Sequence, residues 1–567
     1  MEKIIESRNC NLCTKEFHIY EKDIFMLEQL SPTISWKKYT LPLPTFCPHC
    51  RRKNRLAWRN ESKLFRRKCD LTWKTILSFC DENVKHPVYE REAWFSHDWS
   101  AFDYGQEFDF SRPFFEQLEE LKNKVPIYSR SILRAENSEF SNNANDVKNC
   151  YLCFNGGEAE DCYYCTMFHE VKDCIDCYNM NQSSACYEDI DCFNCHEVFY
   201  SQNSKDCYKS SFLKNCIGCK NCFWCKNLIN GEYYFFNVQY SPKQYEQKVT
   251  EIQKMYSFEE IHKQVDTFLK NLPEKYITGV LNENVIGEYI NASKDVFMSF
   301  EIIDSENIRY STSLKDNSKN CFDVDGFGWS LENCYESCII GHYSGRVFFS
   351  FDCWDKVSNL LYCISCIQST SDCFWCVWLT KQKYCILNKQ YTKEQYEALL
   401  PKIIEHLQKT GEWGQFLPKK LSSNGYNQSV CQEYYPLTQE EALKQWFLWS
   451  HYEAPFPRVD KSIPAQKLPN DIWSIPDDIL NWAIECEISK RPFKIIEQEL
   501  NFLRAHHLPI PKSHPEERHL KRIRKRNIGH TIYSCKCQKC RKDIQTGFAP
   551  ETKSIVYCEE CYNKEIF

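Results

Sequence analysis

Glycine is scarce in this 567-residue chain, with 16 residues, and methionine scarcer, with six. The glycine patterns of a P-loop or a dinucleotide-binding fold do not occur, nor does a G-x-S-x-G elbow or an H-E-x-x-H metal helix. The carboxylates are scattered, and no pair can be set at catalytic separation. His169, His196 and His342 stand alone, which fits structural roles better than catalysis. The sequence therefore favours a non-catalytic protein. No apolar run approaches the 18 or so residues of a membrane span, and the start MEKIIESRNCNLC lacks the apolar region of a secretory signal. The expected location is the cytoplasm. The net charge of −6 argues against a uniformly basic nucleic-acid binder.

What the chain has in abundance is cysteine, 36 residues. In a reducing compartment disulfides are rare, so thiols bind soft metals or fill cores. Both uses can be read from the spacing. Cys10-x-x-Cys13 with Cys47-x-x-Cys50, and Cys537-x-x-Cys540 with Cys558-x-x-Cys561, form two four-thiolate sets. Each C-x-x-C puts two sulfurs on one tight turn, and two turns complete a tetrahedron with no open position. Two structural Zn²⁺ ions are expected. Cys535 is a bystander to the second set.

The first knuckle recurs in decayed form. Cys10-Asn-Leu-Cys13 aligns with Cys486-Glu-Ile-Ser489, Leu41-Pro-Leu-Pro44 with Leu508-Pro-Ile-Pro511, and Arg59-Asn60 with Arg526-Asn527. Residues 481–530 thus read as a second copy whose ligand positions hold Cys486, Ser489, His514 and Glu517, a poor zinc set. Cys69-Asp-Leu-Thr72 resembles a third, half-lost knuckle. Both copies run into basic segments with helical potential. One holds Arg51, Arg52, Lys53, Arg55 and Arg59. The other holds Arg518, Lys521, Arg522, Arg524, Lys525 and Arg526. Cations on a zinc-braced helix suit phosphate contact, so these eleven are candidate nucleic-acid contacts, with RNA favoured; a solvated helix face is the plainer reading. Trp58 among them could stack on a base or lie in the core.

Between the ends, Asn/Asp-Cys-Tyr/Phe-x-Cys units recur from 150 to 225 and again from 320 to 385. They suggest short strands, tight Asn/Asp turns and cysteine stacked inside a parallel β-solenoid, with rungs of roughly 20–24 residues. Further zinc or iron–sulfur sites are the rival reading. The cassettes close alike, in Cys222-Phe-Trp-Cys225 with Asn237 and in Cys373-Phe-Trp-Cys376 with Asn388. They span 102 residues (136–237) and 83 (306–388), and the difference of 19 matches the loss of one such rung. Ser241-Pro-Lys-Gln244 and Thr392-Lys-Glu-Gln395 are capping boxes, predicting helices near 242–272 and 393–409 that cap the cassettes. Ten aromatics between 89 and 115 read as a plug for a solenoid, or as a sugar-binding surface.

The expected fold is multidomain, mainly β with helices: terminal zinc ribbons flanking two short parallel β-solenoid cassettes. The segments are a zinc-ribbon module with basic helix (1–68), an aromatic plug (69–135), the first cassette (136–240), a helical linker (241–285) and the second cassette (286–391). A helical segment (392–480), the degenerate module (481–530) and the C-terminal ribbon (531–567) follow.

Cys47-Pro-His-Cys50-Arg-Arg, Arg66-Arg-Lys-Cys69-Asp, the run Asp103–Phe115 and both Phe-Trp-Cys closures resemble a cysteine-rich zinc-ribbon and β-repeat family of uncultured candidate-phyla bacteria. The resemblance covers nearly the whole chain. It implies zinc ribbons around a repeat core and brings no activity with it; the chain departs from the pattern at His514, where cysteine is common. The leading expectation is a non-catalytic zinc-binding scaffold that contacts RNA or a ribonucleoprotein. The alternatives are a protein–protein scaffold, a carbohydrate- or nucleic-acid-acting enzyme on the solenoid, and a multi-metal store or redox sensor.

Overall fold

The computed structural model describes all residues except Met1, 454–456, 458, 460, 528 and 567, so the outermost bounds of the first and last expected segments lie outside the described residues. Among the described residues there are 36 strands and 12 α-helices. Two large sheets dominate, one of seven parallel strands beginning at Ile132–Glu136, the other of twelve, parallel but for the last, beginning at Gly279–Val280.

In the first sheet each strand pairs in register with residues twelve further on: Asn142 with Phe154, Phe154 with Thr166, Thr166 with Tyr178. Parallel bridges with the same step link Tyr151, Tyr163, Ile175, Tyr187 and Phe199. The 20–24-residue rung is therefore corrected to 12 residues, and the 19-residue difference between the cassettes is not one rung. In the second sheet the step is mostly 13, as from Phe322 to Tyr335 and from Leu360 to Cys373.

The local rule behind this repeat is a triplet. A left-handed residue recurs at every third position, for example Asn143, Asp146, Asn149, Leu152, Asn155, Glu158 and Asp161, with φ of 50–60°. Asn and Asp tolerate that conformation best, because their short side chains bond locally. The residue after each one points inward. Ala144, Val147, Cys150, Cys153, Ala159, Cys162 and Cys165 are all buried. Gly156 takes one inward place because a Cβ there would lie 2.3 Å from the Phe168 carbonyl oxygen and against its ring. In the second ladder the inward spacing is three, three, three, four, as in Ser318, Cys321, Val324 and, after a wider turn, Leu331, Cys334, Ser337, Ile340, Ser344.

Such tight turning points backbone groups at the interior, where they need partners. Small polar side chains supply them. Ser183 Oγ donates to the Asn181 carbonyl at 2.8 Å and accepts the Cys195 N–H at 3.0 Å. The cysteines act likewise: Cys174 Sγ donates to Lys172 O at 3.3 Å and Cys363 Sγ to Cys373 O at 3.4 Å. This explains why the interior alternates Cys, Ser and Val rather than holding large apolar groups alone. All 36 cysteines are unpaired by disulfide.

The closing motifs have a shared purpose. Asn237 lies in the left-handed region, accepts the Lys226 N–H at 2.9 Å and donates to the Lys226 carbonyl at 2.9 Å. Asn388 does the same for Val377 at 2.8 Å on both bonds. One side-chain amide thus replaces a missing strand at the end of each ladder. The expected helices follow as Pro242–Met255, Phe258–Lys270 and Lys393–Thr410, with capping boxes at Ser241 and Thr392. The aromatic run packs on the closing rungs of the second ladder, not on the adjoining first. Phe114 stacks on Trp375 with ring centroids 3.6 Å apart, and the Gln106 N–H reaches Leu387 O.

Candidate metal centres and the basic helices

Four knuckles in the chain share one backbone design. Each begins with a cysteine whose N–H bonds the carbonyl five residues on: Cys10 to Lys15, Cys69 to Lys74, Cys486 to Arg491 and Cys537 to Lys542. The fifth residue of each is left-handed, Thr14, Trp73, Lys490 and Arg541, with φ of 59–63°. In each, the backbone N–H of a distant residue donates to that cysteine's sulfur: Cys47 to Cys10 at 3.3 Å, Glu90 to Cys69 at 3.2 Å, His514 to Cys486 at 3.2 Å, Cys558 to Cys537 at 3.3 Å. That residue then opens a helix: Pro48–Leu56, Arg91–Trp94, Pro515–Ile523 and Glu559–Ile566.

The ligand positions therefore read Cys10/Cys13/Cys47/Cys50, Cys69/Thr72/Glu90/Ala93, Cys486/Ser489/His514/Glu517 and Cys537/Cys540/Cys558/Cys561. The second half of the Cys69 module escaped the sequence reading because Glu90 and Ala93 carry no thiol. There Thr72 Oγ1 donates to Glu90 Oε2 at 2.9 Å, and Lys74 pairs with the same carboxylate.

Two of the four gather four sulfurs. In each complete set the Sγ atoms all lie within 4.8 Å of one another. Cys13 and Cys47 are 3.8 Å apart, Cys540 and Cys558 3.6 Å. An edge of about 3.8 Å is what a tetrahedron with metal–sulfur bonds of about 2.3 Å requires. The donor set thus fits a metal ion, and two sites are compatible with two structural ions. Cys535 lies outside the second set. One further group, Glu158, His169 and Glu170 on the first ladder, brings its ligand atoms together, but at the surface.

The basic helices do not face solvent with their arginines. In Pro48–Leu56, the Arg51 Nε lies 2.6 Å from Asp323. Arg55 is fully buried and reaches Asp325 at 2.6 Å, Glu336 at 2.7 Å and Asp323 at 3.1 Å. Arg52 bonds Asp325 at 3.3 Å and the Tyr435 hydroxyl at 2.7 Å; Lys53 bonds Gln445 and Arg59 bonds Glu61. In the copy, Arg518 holds Asp176 and, at 2.8 Å, Glu499. Arg522 holds Asp176 at 2.8 Å and Glu188 at 3.1 Å, and Arg526 holds Asp191 at 3.0 Å and Glu301 at 2.7 Å.

The same geometry occurs twice. Asp323 and Glu336 are left-handed corner residues one rung apart, as are Asp176 and Glu188. Residues four apart on a helix are about 6 Å apart along its axis, close to the roughly 4.8 Å step between strands. Arg51/Arg55 and Arg518/Arg522 can therefore each clamp two successive corners. Burial pushes Glu336 and Asp176 up to about 7, against the opposing pull of the guanidiniums. The arginines stay charged: burial pulls Arg55 down, but Asp325, Asp323 and Glu336 outweigh it and hold it well above its usual value.

Of the residues expected to contact phosphate, Arg51, Arg52, Lys53, Arg55, Arg59, Arg518, Arg522 and Arg526 have side chains buried or half-buried against protein partners. Lys521, Arg524 and Lys525 are exposed. Trp58 is core, packed on Phe351. The acidic corners were not singled out in the sequence, because Asp and Glu at turn positions look like ordinary turn formers.

The docking is crossed. The N-terminal helix clamps the second ladder, some 270 residues away, and the helix of the copy clamps the first. No helix among the described residues is long and apolar enough to cross a membrane. No protein-family model matches the chain, and no curated protein matches it.

Proposed function

We propose that this protein is a non-catalytic scaffold, braced by two structural zinc ions, whose two ladders are short parallel β-solenoids offering surfaces to a protein partner in the cytoplasm. The observation that carries this reading is the inward use of the arginines. Both basic helices act as internal clamps that fix a knuckle module on a ladder. A buried ion pair is a weak source of stability but a good source of uniqueness, since any other docking leaves charges unpaired. The paired tetrads support zinc over iron only through their Cys₄ chemistry, and metal analysis separates the two. The free thiols, each donating to a carbonyl in the ladders, support a reducing compartment.

Contact with nucleic acid is the reading that loses most, because eight of its eleven cations are engaged. The test joins two measurements. Affinity capture from a cell lysate with and without nuclease should return the same protein partners. Elemental analysis of protein purified without oxygen should give two zinc per chain. Capture abolished by nuclease, together with a gel shift lost on Lys521/Arg524/Lys525→Glu, would replace the reading with RNA binding. Iron, or zinc near eight per chain, would overturn the metal assignment.

A further inference from the structure

The two complete cysteine sets differ in how far they are covered. In the N-terminal set no sulfur-bearing residue is exposed: Cys10, Cys47 and Cys50 are buried and Cys13 is half-buried. In the C-terminal set Cys540 is exposed, and its Sγ lies 3.6 Å from that of the buried Cys558. Their surroundings differ as well. The second knuckle carries four exposed cations, Lys536, Lys539, Arg541 and Lys542, where the matching stretch Asn9–Lys15 carries one. Accessible thiolates among cations, with a second thiol in reach, are the ones that oxidants attack. The C-terminal ribbon also joins the two ladders. Its strand Val556–Tyr557 pairs with Glu274–Lys275, just ahead of the second ladder, while the Val556 carbonyl takes the Gln538 N–H of the knuckle at 3.1 Å. The Gly547 N–H reaches Glu288 of the second ladder at 3.1 Å, and the Tyr562 hydroxyl reaches Asn227, near the closing rung of the first, at 2.8 Å.

We propose that the C-terminal ribbon is a redox-sensitive staple between the ladders: hydrogen peroxide joins Cys540 to Cys558, the zinc ion leaves, and the link is lost. The inference rests on the two structural zinc ions proposed above. The Cys540 thiolate attacks the peroxide, the O–O bond breaks, and a sulfenic acid forms as hydroxide departs. The Cys558 thiolate then displaces a second hydroxide from that sulfur and closes the disulfide. Two protons turn the hydroxides into water, so the two thiolates give up two electrons and one peroxide takes them. Cys537 and Cys561 remain, and two thiolates do not complete the four-sulfur site that a structural zinc ion needs. The knuckle and the strand that follows it are built around that ion, so both loosen when it goes. The N-terminal set offers no exposed sulfur and keeps its ion.

The test treats zinc-loaded, full-length protein with hydrogen peroxide beside a chromogenic chelator. One zinc per chain should be released while the other stays. Peptide mapping of the product should find Cys540 joined to Cys558. Hydrogen exchange should rise over 273–288 and 543–557 and stay unchanged over 48–56. Two variants assign the ion that leaves. With Cys537→Ser/Cys540→Ser the single remaining zinc should resist peroxide; with Cys10→Ser/Cys13→Ser the single remaining zinc should be released. Circular dichroism checks their folding, and the mapping on wild type decides the matter should either variant fail to fold. No release, loss of both ions at one rate, loss from the N-terminal set first, or a disulfide at other cysteines overturns the proposal. So does a Cys540–Cys558 disulfide that leaves exchange over 273–288 unchanged. Protein that holds no zinc before peroxide is added overturns the zinc reading itself, a result distinct from all of these.

Discussion

Replacing Arg55 by alanine tests the clamp at its centre. The guanidinium is fully buried and faces three carboxylates, from Asp325, Glu336 and Asp323, at 2.6–3.1 Å. Removing one member of a buried ion network costs about 3–5 kcal/mol, because the remaining charges stay buried and unpaired. Arg51 can answer part of the Asp323 and Glu336 charge, but only Arg52, at 3.3 Å, remains for Asp325. The expected loss is therefore about 3 kcal/mol or more. By contrast Arg59, half-buried against Glu61, should lose roughly 1 kcal/mol or less. Urea titrations followed by intrinsic fluorescence would give the difference, and hydrogen exchange over 48–56 would show whether the helix detaches alone. Arg55→Ala/Asp325→Asn should recover part of the loss, because the double variant leaves one fewer unpaired charge. If Arg55→Ala lies within 1 kcal/mol of wild type, the arginine is not a clamp, and the argument against nucleic-acid contact falls with it.

Cys174→Ser should stay within about 1 kcal/mol in the same titration, because a hydroxyl can also donate to the Lys172 carbonyl; a large loss would point to metal ligation by the ladder. Asn388→Ala should cost about 1–3 kcal/mol in thermal or urea unfolding, since two bonds to the Val377 backbone disappear together. Glu288 is buried without a cation, holds the N–H groups of Thr278 and Gly547, and is raised by burial to about 7. A folded value above the unfolded one means that folding takes up a proton. Glu288 should therefore contribute on the order of 2 kcal/mol to the stability gained as pH falls from 8 to 5, and Glu288→Gln should gain less than the wild type by about that amount. Urea midpoints at the two pH values decide it.

Several elements could be read from residues alone because their chemistry is local. The tetrads follow from C-x-x-C spacing, the helix starts from Ser241 and Thr392, and the terminal asparagines from a repeated 15-residue offset between closing motifs. The rung length could have been read too. Cys150, Cys162, Cys174 and Cys186 are spaced by 12, but Cys192 and Cys195 belong to two other columns, and the mixed columns blurred the period. The arginines show the limit most clearly. A run of cations looks the same in sequence whether it faces phosphate or a carboxylate pair 270 residues away. Only the rung step, which sets Asp323 and Glu336 one above the other, decides which.

The triplet rule has a consequence for how such a chain can change in length. With every third side chain directed inward, adding or removing three residues keeps all later side chains on their faces, whereas one or two would turn them out. The second ladder nevertheless carries an extra residue in most rungs. It is absorbed where two left-handed residues follow in succession, as at Asp316/Asn317, Asp355/Lys356 and Gln368/Ser369. The last two pairs are one 13-residue rung apart and the first is three such rungs earlier. They lie along one corner, so a single edge of the ladder takes up the frameshift while the other three continue to count in threes.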